Sequence, residues 1–341
     1  MKSEMGYKFR GAGHEEPEGK RKYKEPDRTL EKIFVEWIKG LPPMSAGIED
    51  FYEECRRQYE VAVKIFEKHN FSQDEGHALF CKYQDYPQIQ YAGHFLSAFY
   101  NHLPDKEIIF DIDMAIPSYF IAYRLKEGKL FINKGTTGLL TGQESASPVI
   151  NFGKIGVQSG TNATAPLINY GECAVLSGAD SKSAVINYGK AELRMGQDAQ
   201  GPVINMGEAE RFMGCGAEGP VINFNVTKEK LAFGGKQIVI NAGTCGEDFG
   251  ASHTGILIAL REPASFNIED KFGFGKPKLL LRERDCTPEL VNYVEHLRQL
   301  FEKGRTDYRA ALAALDEFGK EPGRKIESDI EDILRRNGHN V

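Results

Sequence analysis

The chain has 341 residues, of which 41% are hydrophobic and 27% are charged, and its formal net charge is -6. These values are typical of a folded globular protein, and the negative charge argues against a general attraction to nucleic acid or to an anionic membrane. No apolar run reaches the roughly 18 residues that a membrane-spanning helix needs. The start of the chain lacks the apolar segment of a secretory signal, and the six cysteines form no CxxC pair. We therefore expect reduced thiols and a cytoplasmic location.

Residues 1–28 alternate charged residues with Gly and Pro and predict a disordered charged tail. The tail contains a basic cluster at residues 20–24 that offers a contact for RNA or for an acidic partner. Glu15, Glu16 and Glu18 lie directly beside this cluster, which favours a solvated tail over a nucleic-acid site.

Residues 29–128 predict a mixed, largely helical N-terminal region. Apolar residues recur at helical spacing in 45–68, with Ser45 as N-cap, and shorter helices are predicted at 29–39 and 91–103. Strands are predicted at 108–114 and 119–125. We expect this region to cap the open end of the repeat that follows, because an unpaired strand edge invites aggregation.

Four side chains of this region are low-ranked candidates for catalysis or metal binding. Asp111 and Asp113 alternate on a predicted strand, so both carboxylates would point to one face as an acid–base or metal pair. His94 and His102 could supply metal ligands, but their spacing matches no common zinc pattern. A polar strand face and ordinary histidines are the simpler interpretations, and we predict no metal and no cofactor.

A repeat with a period of 18 residues occupies residues 129–260. In seven segments an apolar residue is followed by Ile and then by Asn. Stacked parallel strands lie about 4.8 Å apart, so equivalent residues form columns, and an Asn column can bond amide to amide. We therefore interpret the Asn residues as a structural ladder. They are Asn133, Asn151, Asn169, Asn187, Asn205, Asn223 and Asn241.

The repeat predicts a mainly β fold, a single-stranded parallel β-helix (β-solenoid) of about seven coils with α-helical flanks. A left-handed hexapeptide helix has a coil of the same length but needs an aliphatic residue at every sixth position. Counting on from Ile186 gives Glu192 and Asp198, so we predict a right-handed coil.

Two Gly columns accompany the ladder. One lies two residues after each Asn and runs from Gly135 to Gly243, with Asn225 in one coil. The other lies seven residues further on, from Gly142 to Gly250. Gly and Asn tolerate a left-handed backbone, so we expect both columns to form corners of the coil.

Two more columns fit a stack of coils. Lys154, Glu172, Lys190 and Glu208 alternate in sign, so neighbouring coils would place opposite charges side by side. A mostly aromatic column directly after the Asn could stack ring on ring. It consists of Phe152, Tyr170, Tyr188, Met206 and Phe224.

Other reactive side chains of the repeat have ordinary explanations. Cys173 and Cys245 share a column with Ile155 and Ala191, which favours packed thiols over nucleophiles. His253 is the single His of the repeat region and is weak evidence for a site.

The coil from Gly207 to Ile222 resembles the GXGXG-type β-helix repeat, which occurs in the C-terminal domain of large glutamate synthase chains and in formylmethanofuran dehydrogenase. The matching features are the start Gly207-x-Ala209, Gly214 seven residues on, and Gly219 before the aliphatic strand. The regular Asn after Val-Ile departs from that pattern. The resemblance covers residues 130–256 and implies a mainly architectural domain without catalytic residues of its own.

Residues 261–286 predict a Gly- and Pro-rich linker with strands, and residues 287–338 predict three helices. The first helix begins at Thr287-Pro288, with Thr as N-cap and Pro in the first turn. The apolar faces of these helices need a partner, which is either the solenoid wall or another protein chain.

Three functions remain open at this point. The first is a non-catalytic scaffold or a component of a larger intracellular complex, with a protein partner or a second copy of the chain. The second is an enzyme, or part of one, with a site between the N-terminal cap and the first coils. The third is a nucleic-acid-associated protein that uses the basic cluster at 20–24. Fold alone does not choose among them.

Overall fold

The structure is a computed structural model that describes residues 25–41, 48–84, 89, 91–114, 117–267, 275–319 and 321–341. The basic cluster at 20–24 and the expected N-cap Ser45 lie outside the described residues. Among the described residues, no helix combines the length and the apolar character that crossing a membrane requires.

In the part of the chain that the structure describes, four α-helices precede the solenoid. Asp27 caps the first helix by accepting hydrogen bonds from the N–H groups of Thr29 and Leu30. The third helix was not predicted, although it begins with a capping box between Ser72 and Glu75. The four helices are α1 (Arg28–Lys39), α2 (Ile48–Phe66), α3 (Gln73–Tyr83) and α4 (Gly93–His102).

The solenoid consists of two parallel sheets and a wall of turns, and its register advances by 18 residues per coil from β2 to β16. Sheet A has ten strands in the order β1-β2-β4-β6-β8-β10-β12-β14-β16-β17, and sheet B has seven in the order β15-β13-β11-β9-β7-β5-β3. The strands of sheet A are β1 (Glu107–Phe110), β2 (Leu130–Asn133), β4 (Val149–Asn151), β6 (Leu167–Asn169), β8 (Val185–Asn187), β10 (Val203–Asn205), β12 (Val221–Asn223), β14 (Ile238–Asn241), β16 (Ile256–Ala259) and β17 (Leu279–Leu281). The strands of sheet B are β3 (Thr136–Thr137), β5 (Lys154–Ile155), β7 (Glu172–Val175), β9 (Lys190–Leu193), β11 (Glu208–Arg211), β13 (Val226–Glu229) and β15 (Thr244–Glu247).

Side chains alternate across each sheet A strand, as the pleat requires. Val203 and Asn205 of β10 face the interior, whereas Ile204 faces outward and packs with the C-terminal helices. In sheet B the inward column is made of small or medium side chains. It contains Thr137, Ile155, Cys173, Ala191, Ala209, Thr227 and Cys245.

The predicted Asn ladder is confirmed. Asn187 Nδ2 donates to Asn205 Oδ1 at 2.9 Å and to the carbonyls of Gly189 and Glu208, while its Oδ1 accepts from Asn169 Nδ2 at 2.7 Å. The same bond joins every pair of neighbouring Asn residues from Asn133 to Asn241. Because these amides are buried, a complete ladder avoids the cost of unpaired polar groups.

The third wall has alternating residues with a left-handed φ. In one coil these are Arg194, Gly196 and Asp198, and their N–H groups bond alternately to the next coil and to the preceding one. The Gly142 column is confirmed as a left-handed corner, and Ala232 keeps this conformation with φ of 61°.

The Gly135 column lies at the corner between sheet A and sheet B, as predicted, but the left-handed φ expected there was wrong, because none of its members has one. A Cβ on Gly171 would lie 2.0 Å from the carbonyl oxygen of Gly153 in the preceding coil. These glycines are therefore required by the close approach of successive backbones.

The strand predicted at 119–125 was also wrong. This segment belongs to the turn wall, with left-handed φ at Phe120, Ala122 and Arg124, and it bonds to the first coil through the carbonyls of Leu139 and Gln143. The predicted strand at 108–114 is confirmed in part, as β1 with a single bridge at Asp113.

Three helices follow the solenoid and cover the outer face of sheet A, so their partner is the solenoid wall. Thr287 caps the first of them, as predicted. Tyr188 donates to the carbonyl of Phe301 at 2.7 Å, and Arg298 donates to the carbonyl of Ala242 at 2.6 Å. The helices are α5 (Pro288–Glu302), α6 (Tyr308–Asp316) and α7 (Pro322–Arg336).

The aromatic column is confirmed, and it packs beneath these helices. The rings of Phe152 and Tyr170 stack at 4.8 Å, and those of Tyr170 and Tyr188 stack at 4.9 Å.

Candidate functional site

The four candidate residues have different surroundings. Asp111 follows β1, and its Oδ1 lies 4.0 Å from Nδ1 of the buried His77. Asp113 is exposed and accepts a hydrogen bond from Thr136 Oγ1 at 3.2 Å. Among the described residues, no group of three or more His, Cys, Asp or Glu side chains could hold a metal ion.

The two histidines of α4 differ in their partners. Nδ1 of His102 lies 2.9 Å from the carbonyl oxygen of Ala98, one turn back on the helix. His94 is buried against the rings of Phe120 and Tyr123, whose centroids lie 4.0 and 4.8 Å from its own.

His94 lines a cavity of about 290 Å³ between the N-terminal cap and the first two coils, here called the cap–coil cavity. Helix α2 contributes Arg56, and the 117–125 segment contributes Phe120 and Tyr123. The turn walls of the first two coils supply the remaining lining. They contribute Leu140, Gln143, Glu144, Gln158 and Thr161.

Helix α4 fixes the 117–125 segment through side chains on its His94 face. Ser97 donates to the carbonyl of Phe120 at 2.7 Å and accepts from the N–H of Tyr123 at 3.0 Å. A Cβ on Gly93 would lie 1.8 Å from the Tyr119 carbonyl oxygen, so the helix and the segment touch backbone to backbone. These contacts with α4 hold the segment in place, and with it the rings that face His94.

The charges at the cavity are paired with each other. Arg124 Nε lies 2.7 Å from Glu144 Oε2, and Arg56 lies 3.9 Å from Glu144 Oε1 and 3.3 Å from Glu53. A side-chain hydrogen bond to Tyr123 raises the pKa of Arg56. The cavity thus contains one carboxylate and one guanidinium in its lining, and both already have partners.

Two buried polar atoms at the cavity have no hydrogen-bond partner, Nδ1 of His94 and Oε1 of Gln143. Burial, with a smaller contribution from Arg124, lowers the pKa of His94 from 6.5 to about 3. The imidazole is therefore neutral at physiological pH and offers one donor and one acceptor. Buried polar groups normally have a hydrogen-bond partner, so two unpaired atoms on residues that line one cavity are consistent with a bound ligand or with water.

The other reactive residues of the solenoid are packed into its interior. Burial raises the pKa of Cys173 and of Cys245 to about 12, so neither thiol is a nucleophile at neutral pH. His253 is buried, with Nε2 2.9 Å from the carbonyl of Gln237, and burial lowers its pKa to about 4.

The outer face of sheet B, here called the charged face, has a ladder of ion pairs. Lys154 pairs with Glu172 at 3.1 Å, as predicted. Lys190 pairs with Glu210 at 3.2 Å instead of with Glu208, whose partner is Lys228. The side chains of this ladder keep 34 to 66% of their exposure, so they are available to a partner.

The sequence pointed to His94 but not to the residues that surround it. Arg56 is far along the chain from the adjacent residues Gln143 and Glu144, and none of the three has a motif spacing to His94. The one usable signal is that the first coil has Gln143 and Glu144 where the third coil has Ala179 and Asp180.

A scan against models of known protein families found no match, and searches of curated proteins and of solved structures found no similar chain.

Proposed function

We propose that the chain is a non-catalytic intracellular scaffold that associates with a second copy of itself through the charged face of sheet B. The observation that carries this proposal is the alternation of sign along the column Lys154, Glu172, Lys190 and Glu208. The resemblance to β-helix domains with a mainly architectural role supports the scaffold part of the proposal.

An alternating column is complementary to itself under two-fold symmetry. A two-fold axis parallel to the strands, placed between the coils of Glu172 and Lys190, reverses the order of coils and lays each column over its own copy. Glu172 then faces Lys190 of the second copy, and Lys154 faces Glu208. Every facing pair has opposite charges, which favours this register over a shift by one coil.

The neighbouring outward column is complementary in size under the same axis. Gly156 and Ala174 leave room in the second and third coils, whereas Glu192 and Glu210 extend from later coils. The axis places Gly156 opposite Glu210 and Ala174 opposite Glu192. Long side chains of one copy therefore meet short ones of the other.

Charge exchange tests this arrangement. The first variant is Lys154→Glu with Glu172→Lys, which keeps the pair within the chain but gives like charges at all four facing positions of a symmetric dimer. The second variant is Lys190→Glu with Glu208→Lys, and its symmetric dimer also has like charges at all four facing positions. We expect a wild-type dimer by sedimentation equilibrium, monomers for each variant alone, and a heterodimer when the two variants are mixed.

The mixture is decisive because the two variants face each other with opposite charges at all four positions. Exposed ion pairs contribute at most about 1 kcal/mol each, so both variants should stay folded, and their melting temperatures serve as the control. A monomeric wild type, or a first variant that dimerises as the wild type does, contradicts the proposal.

Neither alternative gains the same support. The enzyme hypothesis expected convergent acid–base groups, and the cap–coil cavity has a single carboxylate in its lining, held by Arg124. The nucleic-acid hypothesis rests on a cluster outside the described residues.

A further inference from the structure

The cap–coil cavity is too large to be a site for isolated water. Its volume of about 290 Å³ is roughly ten times the ~30 Å³ that one water molecule occupies in the liquid. It lies just below the range found for small-molecule sites, ~300 to 1,000 Å³. A molecule with one or two rings fits this volume.

The unpaired atoms define the hydrogen bonds that a ligand would supply once the side chains of His94 and Gln143 turn these atoms towards the cavity, since neither atom has accessible surface in this structure. Gln143 Oε1 is an acceptor, so it needs a donor from the ligand. Nδ1 of His94 needs one further partner, and the neutral ring accepts or donates according to its tautomer. A hydroxyl or an N–H group of the ligand can donate to Gln143 Oε1. A hydroxyl of the ligand can either donate to or accept from Nδ1 of His94.

The charges at the cavity favour a neutral ligand. Glu144 lies between Arg124 and Arg56, so a cation would compete with two guanidinium groups for one carboxylate. An anion would approach Glu144 and Glu53, which already pair with Arg56. Either charge would be desolvated without a free partner.

The apolar side chains of the lining suit the face or edge of a ring, and Gln158 and Thr161 add two polar side chains to the wall. Phe120 and Tyr123 flank His94 on one side, and Leu140 lies on the turn wall of the first coil. Such walls with a few placed polar groups are the usual composition of a small-molecule site.

We propose that the cap–coil cavity binds a small neutral ring compound that donates a hydrogen bond to Gln143 Oε1 and shares one with Nδ1 of His94. Monosaccharides, through their hydroxyls, and nucleobases, through their ring N–H groups, both have this chemistry. The site binds its ligand without transforming it, because Glu144 is held by Arg124 and has no second carboxylate beside it in the lining. This inference is independent of self-association through the charged face.

The test is ligand-observed NMR and calorimetry on the full chain with two sets of probes. One set is glucose, galactose and ribose, and the other is uracil and adenine. We expect one set to bind, and which set binds tells the two sources apart. Gln143→Leu and His94→Phe should each weaken that binding about ten-fold, the effect of losing one buried hydrogen bond.

Matched controls separate a lost contact from a damaged fold. Gln197 occupies the position of Gln143 three coils on, so Gln197→Leu should bind the probe as the wild type does. His102→Phe is the corresponding control on α4. Should a cavity variant unfold, the imidazole ¹⁵N resonances of the wild type give the answer, because the probe should shift His94 and leave His102 unchanged.

Two results overturn the proposal. One is that none of the probes binds the wild type at millimolar concentration. The other is that binding occurs but is unaffected by both cavity variants and leaves the His94 resonances in place.

Discussion

The two sheets of the solenoid come from the same 18-residue repeat, yet their outer faces are opposite in character. The outer face of sheet A is an unbroken column of Ile that α5, α6 and α7 cover, and Ile204 within it has no exposed surface. The outer face of sheet B is a ladder of half-exposed ion pairs. One repeat can therefore specify one wall for attachment of its own helices and another for solvent or for a partner.

The largest expected difference between the two outer faces is the loss of stability when an aspartate is introduced on each. Ile204→Asp removes a buried aliphatic side chain and buries a carboxylate beneath the helices, which should lower the free energy of unfolding by at least about 5 kcal/mol. Thr244→Asp on the exposed outer face of sheet B should change it by less than about 1 kcal/mol. Urea titration of both variants measures this, and equal losses would remove the distinction between the faces.

Replacing a glycine at which successive backbones approach closely should destabilise the fold nearly as much. A Cβ on Gly189 would lie 2.2 Å from the Gly171 carbonyl oxygen, so Gly189→Ala must push two coils apart and should cost at least about 3 kcal/mol. Gly234 has a left-handed φ of 71° and open space around its Cα, so Gly234→Ala should cost only about 1 kcal/mol of backbone strain. If chemical denaturation showed a larger loss of stability for Gly234→Ala than for Gly189→Ala, a left-handed backbone would matter more than the close approach of successive coils.

The Asn ladder on the inner side of sheet A sets the next effect. Asn187→Ala deletes the bonds to both neighbouring amides and to two carbonyls, and we expect a loss of about 3 kcal/mol. The side chain of Asn225 is exposed and makes one hydrogen bond, to the Met206 carbonyl. Asn225→Ala should therefore lower the free energy of unfolding by less than about 1 kcal/mol. Similar melting temperatures for the two variants would show that the Asn ladder does not stabilise the solenoid.

Acid should act on the interior more than on the charged face. His94 and His253 have pKa values lowered to about 3 and about 4, so below about pH 6.5 the unfolded chain binds protons that the folded chain does not. The stability that each neutral ring contributes is complete above about pH 6.5 and falls by about 1.4 kcal/mol per pH unit as the pH drops towards the folded value.

The corresponding variants separate interior from surface. His253→Leu should flatten the decline of melting temperature between neutral pH and about pH 5. Glu210→Gln should leave the decline almost unchanged, because its ion pairs are on the exposed face. A steeper effect from Glu210→Gln would locate the acid sensitivity on the charged face.

The periodic parts of the molecule were predictable because periodicity reports packing directly. The Val-Ile-Asn register, the Lys154–Glu172 pair and the helix start at Thr287 follow from spacing alone. The segment 119–125 was mistaken for a strand because a chain of alternating left-handed residues also has a period of two. The proximity of successive backbones at the Gly135 column has no sequence signature that differs from that of a left-handed turn.

The site was less predictable than the fold. His94 and His102 were candidates by residue type, and Asp111 and Asp113 by their alternation on a predicted strand. Of these four, His94 lines the cavity, whereas the other three have other contacts. The cavity depends on where α2 and α4 meet the first coils, and that meeting is set by packing among Phe, Tyr and Leu side chains of distant segments. Such long-range packing cannot be inferred from local pattern.

The C-terminal helices also act as a ruler for the number of repeats. At one end Tyr308 and Arg309 contact Glu107 of β1, and at the other Arg298 bonds to the carbonyl after β14. One additional coil would move these anchors apart by about 4.8 Å, more than a hydrogen bond tolerates. Unlike an open-ended repeat protein, this chain would break one of these anchors if it gained or lost a coil between them, unless its helices changed length as well.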